Sequence, residues 1–315
     1  MGFKILQRSD WNWNVDLNLA YNKSTIIKLP YNGLERNRQG AFQVYSGKGD
    51  ELIWVGGYQE GQRPGDVYGY KPLGIYSNEE EVSAAAANRI DKTNADRDLG
   101  YGYPLYGPDI WNQFTDEQKA SGWPISPGDV NWKDVNGDDT IDIYDKVYMG
   151  NTIPPFIGGI TSSLSWKGFG LYVRLDYALG HVQEDFTLKW FTAQANGTMN
   201  NLTLIKDTWT PENPNAKWPR YDLDDSSGKR NYYRSDNGLF ITDASYLSFR
   251  EVSLTYDMNK EWLQKIGSSG IQLSITGQNL GYLSKSMTYT PEVGGRVSTG
   301  WPIPRTFIFG ASLKF

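Results

Sequence analysis

The chain has 315 residues, of which 14% are aromatic and none is cysteine, and a net charge of −5. No apolar run approaches the roughly 18 residues of a membrane helix, which excludes a helical membrane protein. The lack of cysteine excludes a disulfide scaffold and thiolate metal sites, and an acidic balance without a long Lys/Arg cluster excludes nucleic acid as the partner.

The opening Met1-Gly2-Phe3-Lys4-Ile5-Leu6 lacks the basic stretch and long apolar run of a secretory signal. For a protein that must be exported, this points to an N-terminal part outside the sequence. From Trp11 the chain alternates without a break: Trp11, Trp13, Val15, Leu17, Leu19 and Tyr21 share one face, and Asn12, Asn14, Asp16, Asn18, Ala20 and Asn22 the other. About 11 residues in a strand tilted near 45° cross the hydrocarbon layer, and aromatic residues at both ends match an interfacial girdle. The design returns as a hairpin, with Phe156, Ile160, Leu164 and Trp166 on one strand, a tight turn at Lys167-Gly168, and Phe169, Leu171, Val173, Leu175, Tyr177 and Leu179 on the next. In Tyr246 to Tyr256 the apolar phase slips from Leu247 and Phe249 to Val252, Leu254 and Tyr256, so a β-bulge is expected near Arg250-Glu251. Asp257 to Gly270 reads as a short helical turn, and Ile271, Leu273 and Ile275 begin another strand. The closing strand carries Phe307, Phe309, Ala311, Leu313 and Phe315 on one face, with Ile308 as an apolar intruder on the other.

These segments predict an all-β chain: about seven or eight antiparallel strands of a larger transmembrane β-barrel. Two long irregular stretches, roughly 29–155 and 181–243, are expected as loops on the outer side. A β-sandwich is the alternative, but packing two sheets face to face gives no reason for Trp and Tyr at strand ends. Phe315 reads as the terminal aromatic that bacterial barrel-assembly machinery recognises.

The sharpest local motif is Asp134 to Asp145, which sets oxygen-bearing side chains at the spacing of a calcium loop. Asp134, Asn136 and Asp138 would ligate through side chains, Thr140 through its carbonyl, Asp142 through water, and Asp145 in place of the usual glutamate. Asp139 stands where such a loop normally carries glycine, and an Asn/Asp-rich surface turn is the competing reading. The calcium would be structural, because an all-oxygen cage suits a hard cation. Catalysis finds little footing. His181 is the sole histidine, and the carboxylate groupings Glu184-Asp185, Asp224-Asp225 and Glu79-Glu80-Glu81 lie in polar loop sequence and read as solvated charge. The loop aromatics Trp54, Tyr68, Tyr70, Trp111, Trp190, Trp209 and Trp218 are of a type that stacks on sugar rings, with packing the readier role for any one.

In order and spacing these fragments resemble the SusC-like (SusC/RagA) family, the TonB-dependent outer-membrane transporters of Bacteroidetes. The resemblance covers most of the chain. It rests on Gly61-Gln62, Val67-Tyr68-Gly69-Tyr70-Lys71 and Gly74-Ile75-Tyr76, on Pro127-Gly128-Asp129-Val130 leading to Lys133-Asp134-Val135-Asn136-Gly137-Asp138, and on Trp166-Lys167-Gly168-Phe169. Asp243-Ala244-Ser245-Tyr246-Leu247, Thr276-Gly277-Gln278-Asn279-Leu280 and Pro302 to Arg305 extend it.

The resemblance implies a barrel of roughly 22 strands around an N-terminal plug, of which this chain would supply the C-terminal wall and outer loops, without the plug. It implies import of an oligosaccharide or peptide through the outer membrane. The partners would be a SusD-like surface lipoprotein as lid, the TonB complex through the N-terminal region, and membrane lipid around the wall. Asn12, Asn14, Asp16, Asn18, Arg174 and Asp176 would give the lumen its polarity. The alternative is a soluble or secreted calcium-stabilised carbohydrate-binding β-protein.

Overall fold

The computed structural model describes residues 1–95, 102–193, 202–221, 236–258, 263, 268–286, 290–297 and 301–314. Seven strands form one antiparallel sheet in which every strand pairs with its neighbour in the chain. They are β1 (Gly2–Gln7), β2 (Trp11–Tyr21), β3 (Phe156–Trp166), β4 (Phe169–Leu179), β5 (Tyr246–Asp257), β6 (Gly270–Ser284) and β7 (Thr306–Lys314). This is the antiparallel meander of a barrel wall. β1 escapes sequence reading because its six residues give too short a window for the alternation to register.

The apolar faces point away from protein. Trp11, Trp13, Leu17, Leu19, Tyr21, Phe156, Leu171, Leu254, Ile275, Phe307, Phe309 and Leu313 are all exposed, Phe309 to 76%. A continuous apolar face of this extent would aggregate a soluble protein, and facing lipid it costs nothing. Its two rims are aromatic. Trp11 stacks on Trp166 at 5.2 Å, Trp166 on Phe169 at 6.3 Å, and Phe169 meets Tyr256 at 4.5 Å, giving a row along the short-turn end. Tyr21 and Phe156 pair at 5.0 Å at the other end. The eleven residues of β2 at about 3.3 Å each, tilted by about 45°, span roughly 25 Å, the height of an outer-membrane apolar band.

Two polar side chains on this face are paired, as hydrocarbon favours. Trp13 Nε1 donates to Ser162 Oγ at 2.9 Å, and the Tyr177 hydroxyl donates to the Asn18 carbonyl at 2.9 Å. The second bond depends on Gly158, opposite both Tyr177 and Leu19: a Cβ there would lie 2.2 Å from the Asn18 oxygen and 2.4 Å from the tyrosine hydroxyl. The Lys167-Gly168 turn is as expected, with φ of 46° and 89°, the doubly positive pair of a type I′ hairpin. The expected bulge is also present. The register shifts between Phe249 and Glu251 against β6 and between Arg174 and Leu175 against β5. The helical turn expected within Asp257 to Gly270 falls largely on 259–262 and 264–267, outside the described residues.

The stretches expected to be irregular are not. Within 29–155 a hairpin joins Phe42–Tyr45 to Leu52–Val55, Asp66–Gly69 pairs with Val147–Asn151, Pro72–Ile75 pairs with Val130–Trp132, and Glu79–Ala86 is a helix capped by Asn78. Ile90–Asp91, Leu105–Tyr106, Trp123–Pro124 and Thr140–Ile141 make a small four-stranded sheet. Strands of two to five residues cut by Gly and Pro are too short to show a period, so they look like loop in the sequence. A third loop, between β6 and β7, returns Gly295–Val297 to pair parallel with Gln183–Asp185, while Val182–Glu184 of the same strand pairs antiparallel with Ile241–Asp243. All three buried clusters of the described residues lie in these loops. One gathers Tyr76, Val82, Ala86, Leu105 and Ile125, another Leu188, Trp218 and Phe240, and the third Tyr70, Val130, Trp132 and Ile141.

Gly158→Val should force Tyr177 off the Asn18 carbonyl and cost about 1–3 kcal/mol by overpacking. The check is the temperature at which the full-length protein loses its compact, fast-migrating form in SDS electrophoresis, which is expected to fall.

Candidate functional site: the lumenal wall and the aspartate loop

Alternation sets the opposite face of the wall. Asn14 lies across from Ser163, Asp16 from Thr161 and Asn18 from Gly159, while Arg174 is flanked by Thr161 and Glu251 and Asp176 by Gly159 and Ser248. This face carries hydroxyls, amides and charges where the other carries hydrocarbon. A groove along it is bounded by Asn12, Asn14, Ser163, Ser165, Tyr172 and Ser253.

Its electrostatic centre is Arg250, the residue at the bulge. The guanidinium Nε donates to Asp176 Oδ2 at 2.9 Å, Nη2 to Glu292 Oε1 at 2.8 Å and Nη1 to Asn279 Oδ1 at 3.3 Å. The Tyr282 hydroxyl donates to the same Glu292 oxygen at 2.6 Å, and Arg174 pairs with Asp176 at 3.3 Å. Asn279, on the facing strand, has a φ of 53°. Its left-handed backbone fits the irregular pairing here, where Phe249 faces Gly281 and Glu251 faces Gln278. Glu292 belongs to the β6–β7 loop, so the network ties an outer loop into the lumen. The sequence marks only the bulge. That a glutamate some forty positions later meets it follows from the loop's return, which no local pattern encodes.

The aspartate loop is closed on itself. Asp134 accepts from the Gly137 N–H at 2.7 Å and the Asp139 N–H at 2.9 Å, Asp138 from Thr140 N–H at 2.7 Å and from Asn136 Nδ2 at 3.0 Å, and Asp142 from Tyr144 N–H at 2.9 Å. Asp145 is fully buried and accepts from the Val135 and Asp142 N–H groups, each at 2.8 Å. Asp139 takes φ of 62°, the left-handed conformation that glycine would supply and that aspartate tolerates better than most residues. Asn136 Nδ2 also reaches Asp50 Oδ1 at 2.8 Å, adding a carboxylate from the 42–55 hairpin that spacing alone could not find. Burial first, then the fields of Asp142, Asp138, Asp145 and Asp50, push the Tyr45 hydroxyl up to about 12. Burial, with Asp142 and Asp134 beside it, pushes the Asp145 carboxyl up to about 6 against the pull of its two N–H donors. Among the described residues no three His, Cys, Asp or Glu side chains are gathered as a metal site. The donor set nevertheless fits a hard cation in one respect: Asn136 Oδ1 is buried with no hydrogen-bond partner.

The other described residues singled out in the sequence make contacts within the fold. Glu184 pairs with Lys189 at 3.0 Å and Asp185 accepts from the Leu188 N–H. Glu79, Glu80 and Glu81 form the first turn of a helix, while Asp224-Asp225, Trp190's side chain and Phe315 lie outside the described residues. Tyr70 and Trp218 are buried, Arg38 covers Trp54 at 3.9 Å, Tyr68 packs on Phe42 and Tyr148, Trp111 meets Phe114 at 5.9 Å, and Trp209 donates to the Ser77 carbonyl. Among the described residues, these loop aromatics pack within the loops. His181 is buried and bonded to the Pro291 carbonyl; burial holds its pKa below the ordinary value.

Arg250→Ala leaves Asp176 and Glu292 without their shared cation and should destabilise the loop by about 1–3 kcal/mol. Arg250→Lys should recover less than half, since a point charge cannot serve three acceptors as the planar fork does. Trypsin cleavage within 285–305 of the detergent-solubilised full-length protein is expected to speed up in that order.

No family model matches the chain. It is 24% identical over 99% of its length to the TonB-dependent receptor P39 of Formosa agariphila, of which it covers 29%, and 28% identical over 68% of its length to the TonB-dependent receptor SusC of Bacteroides thetaiotaomicron, covering 20%. The structure of the RagAB peptide transporter superposes on the whole chain with a TM-score of 0.63 at 18% identity, over 28% of that chain. The chain thus spans less than a third of the length of the relatives it matches. Along nearly its whole length the chain is similar to a segment of the TonB-dependent receptors of the bacterial outer membrane, SusC among them, and it shares the barrel fold of the RagAB structure.

Proposed function

We propose that this chain supplies wall and outer loops to an importer that takes oligosaccharides or peptides across the outer membrane. A SusD-like lipoprotein would close it from outside, and TonB would drive it. The relatives are receptors and transporters, so import in general is the common ground. The observation that carries the reading is the division of the sheet into a lipid-facing and a polar lumenal face, with a loop anchored into the latter through Arg250. A soluble carbohydrate-binding protein would have to present Phe307, Phe309 and Leu313 to water, at more than half exposure each. Removal of the gene for the full-length receptor should abolish uptake of a fluorescent oligosaccharide or oligopeptide, and the wild-type gene should restore it. Unchanged uptake of both classes would overturn the proposal.

The aspartate loop is proposed as a structural calcium site of the outer loops, with Asp134, Asn136, Asp138, Thr140, Asp142 and Asp145 as donors and the orphan Asn136 oxygen as its support. Binding requires an ionised Asp145, whose carboxyl titrates at about 6, above its unfolded value. Folded-state stability from this group therefore rises as pH falls through 6, while calcium affinity moves the other way. Calorimetric titration of the full-length receptor should show affinity constant above pH 7 and falling by up to about tenfold per unit below 6.

A further inference from the structure

Beside the aspartate loop, on the other side of the Thr140–Ile141 strand, lies a pocket no motif announces. Ile90–Asp91 pairs parallel with that strand, and the turn after it brings Thr93 and Asn94 beside Asp129. A cavity of about 20 Å³ is lined by Asp91, Thr93, Asn94, Asp129, Leu105 and Trp132, room for one water or one bare cation. We propose that this cavity is a second hard-cation site, independent of the Asp134–Asp145 loop, with Asp91, Asp129 and the Asn94 side-chain oxygen as its donors.

Three observations carry it. Asp91 and Asp129 are both buried, and the charge of Asp129 adds to burial in raising the cost of ionising Asp91. Asn94 is only 4% exposed and its Oδ1, on the cavity wall, has no hydrogen-bond partner. An oxygen so placed, next to two carboxylates, faces acceptors where it needs a donor or a cation.

Two guanidiniums stand near the carboxylates. Arg220 Nε lies 3.4 Å from Asp129 Oδ1, and Ser126 N–H donates to Asp129 Oδ2 at 2.8 Å. Arg89 directs Nη1 to the Tyr76 hydroxyl and to Asn131 Oδ1, at 3.1 and 2.8 Å. Asp91 has Thr93, through its backbone at 2.8 Å and its side chain, both neutral. Arg89 also acts on Asp91 through its charge, so the need for a cation rests on the orphan Asn94 oxygen and the two buried carboxylates around one small cavity; the donors are all oxygen, and the occupant would be of the calcium class. Its effect would be mechanical, fastening the Asp91 turn to the strand that enters the aspartate loop.

Trp132 lines the cavity and makes the site readable. In the full-length receptor, solubilised in detergent and stripped by a chelator, added terbium should show tryptophan-sensitised luminescence that calcium displaces. Trp132→Phe, a conservative change, should remove one component of that emission. Asp91→Asn should weaken the same component by about tenfold or more, and Asp134→Asn should leave it intact. If emission and its calcium competition are the same in Trp132→Phe and Asp91→Asn as in the wild type, the cavity holds water and the proposal fails. It fails equally if Asp134→Asn alone abolishes all the emission. Should Asp91→Asn not fold, the emission that survives Asp134→Asn decides: the proposal stands if adding Trp132→Phe removes it and fails if it does not.

Discussion

Hydrocarbon offers a peptide group no hydrogen-bond partner, and the rest of this structure depends on that. Each wall strand must pass its N–H and C=O groups to a neighbour, so the chain runs as a meander in which β1 to β7 pair strictly in order. Once the backbone is committed to that ladder, side chains alternate between lipid and lumen, and the composition of each face is dictated by what it touches. Trp13 and Tyr177, polar residues on the lipid side, are tolerated because Ser162 and the Asn18 carbonyl take up their donors.

The loops obey the opposite rule. They stand in water, so they bury their aromatic and aliphatic residues in clusters around Tyr76, Trp218 and Trp132. The chain therefore carries two solvents' worth of architecture, an inside-out wall and an ordinary folded cap, joined at strand ends. His181, Ala244 and Tyr246 sit at one such junction, where Ala244 N–H donates to the His181 carbonyl and the imidazole edge meets the tyrosine ring.

How much of this the sequence discloses depends on whether a constraint is local. Period two over eleven residues is local, so β2, β3, β4 and the bulge in β5 are legible, as is the Lys167-Gly168 turn. The motif at Asp134 is local too, and its spacing is visible. The three-residue pairing of Pro72–Ile75 with Val130–Trp132 is not, nor is the arrival of Asp50 at Asn136 or of Glu292 at Arg250, since each depends on where a long excursion returns. The loop tryptophans are ambiguous in the sequence because an aromatic that stacks on a ligand and one that packs a core have the same composition and no period.

The bulge at Arg250 shows what the wall is for. Strike that residue out on paper and Leu247, Phe249, Val252 and Leu254 fall into unbroken alternation, so the strand would cross lipid at least as well without it. The extra residue therefore answers to no demand of the bilayer. It is an insertion in the service of the interior, a place where the barrel gives up regularity so that one arginine can reach a carboxylate of the wall and one of the loop at once. A tube of faultless alternation would be a better plug in the membrane and a mute one, with nothing in its bore to register whether the loop above had moved.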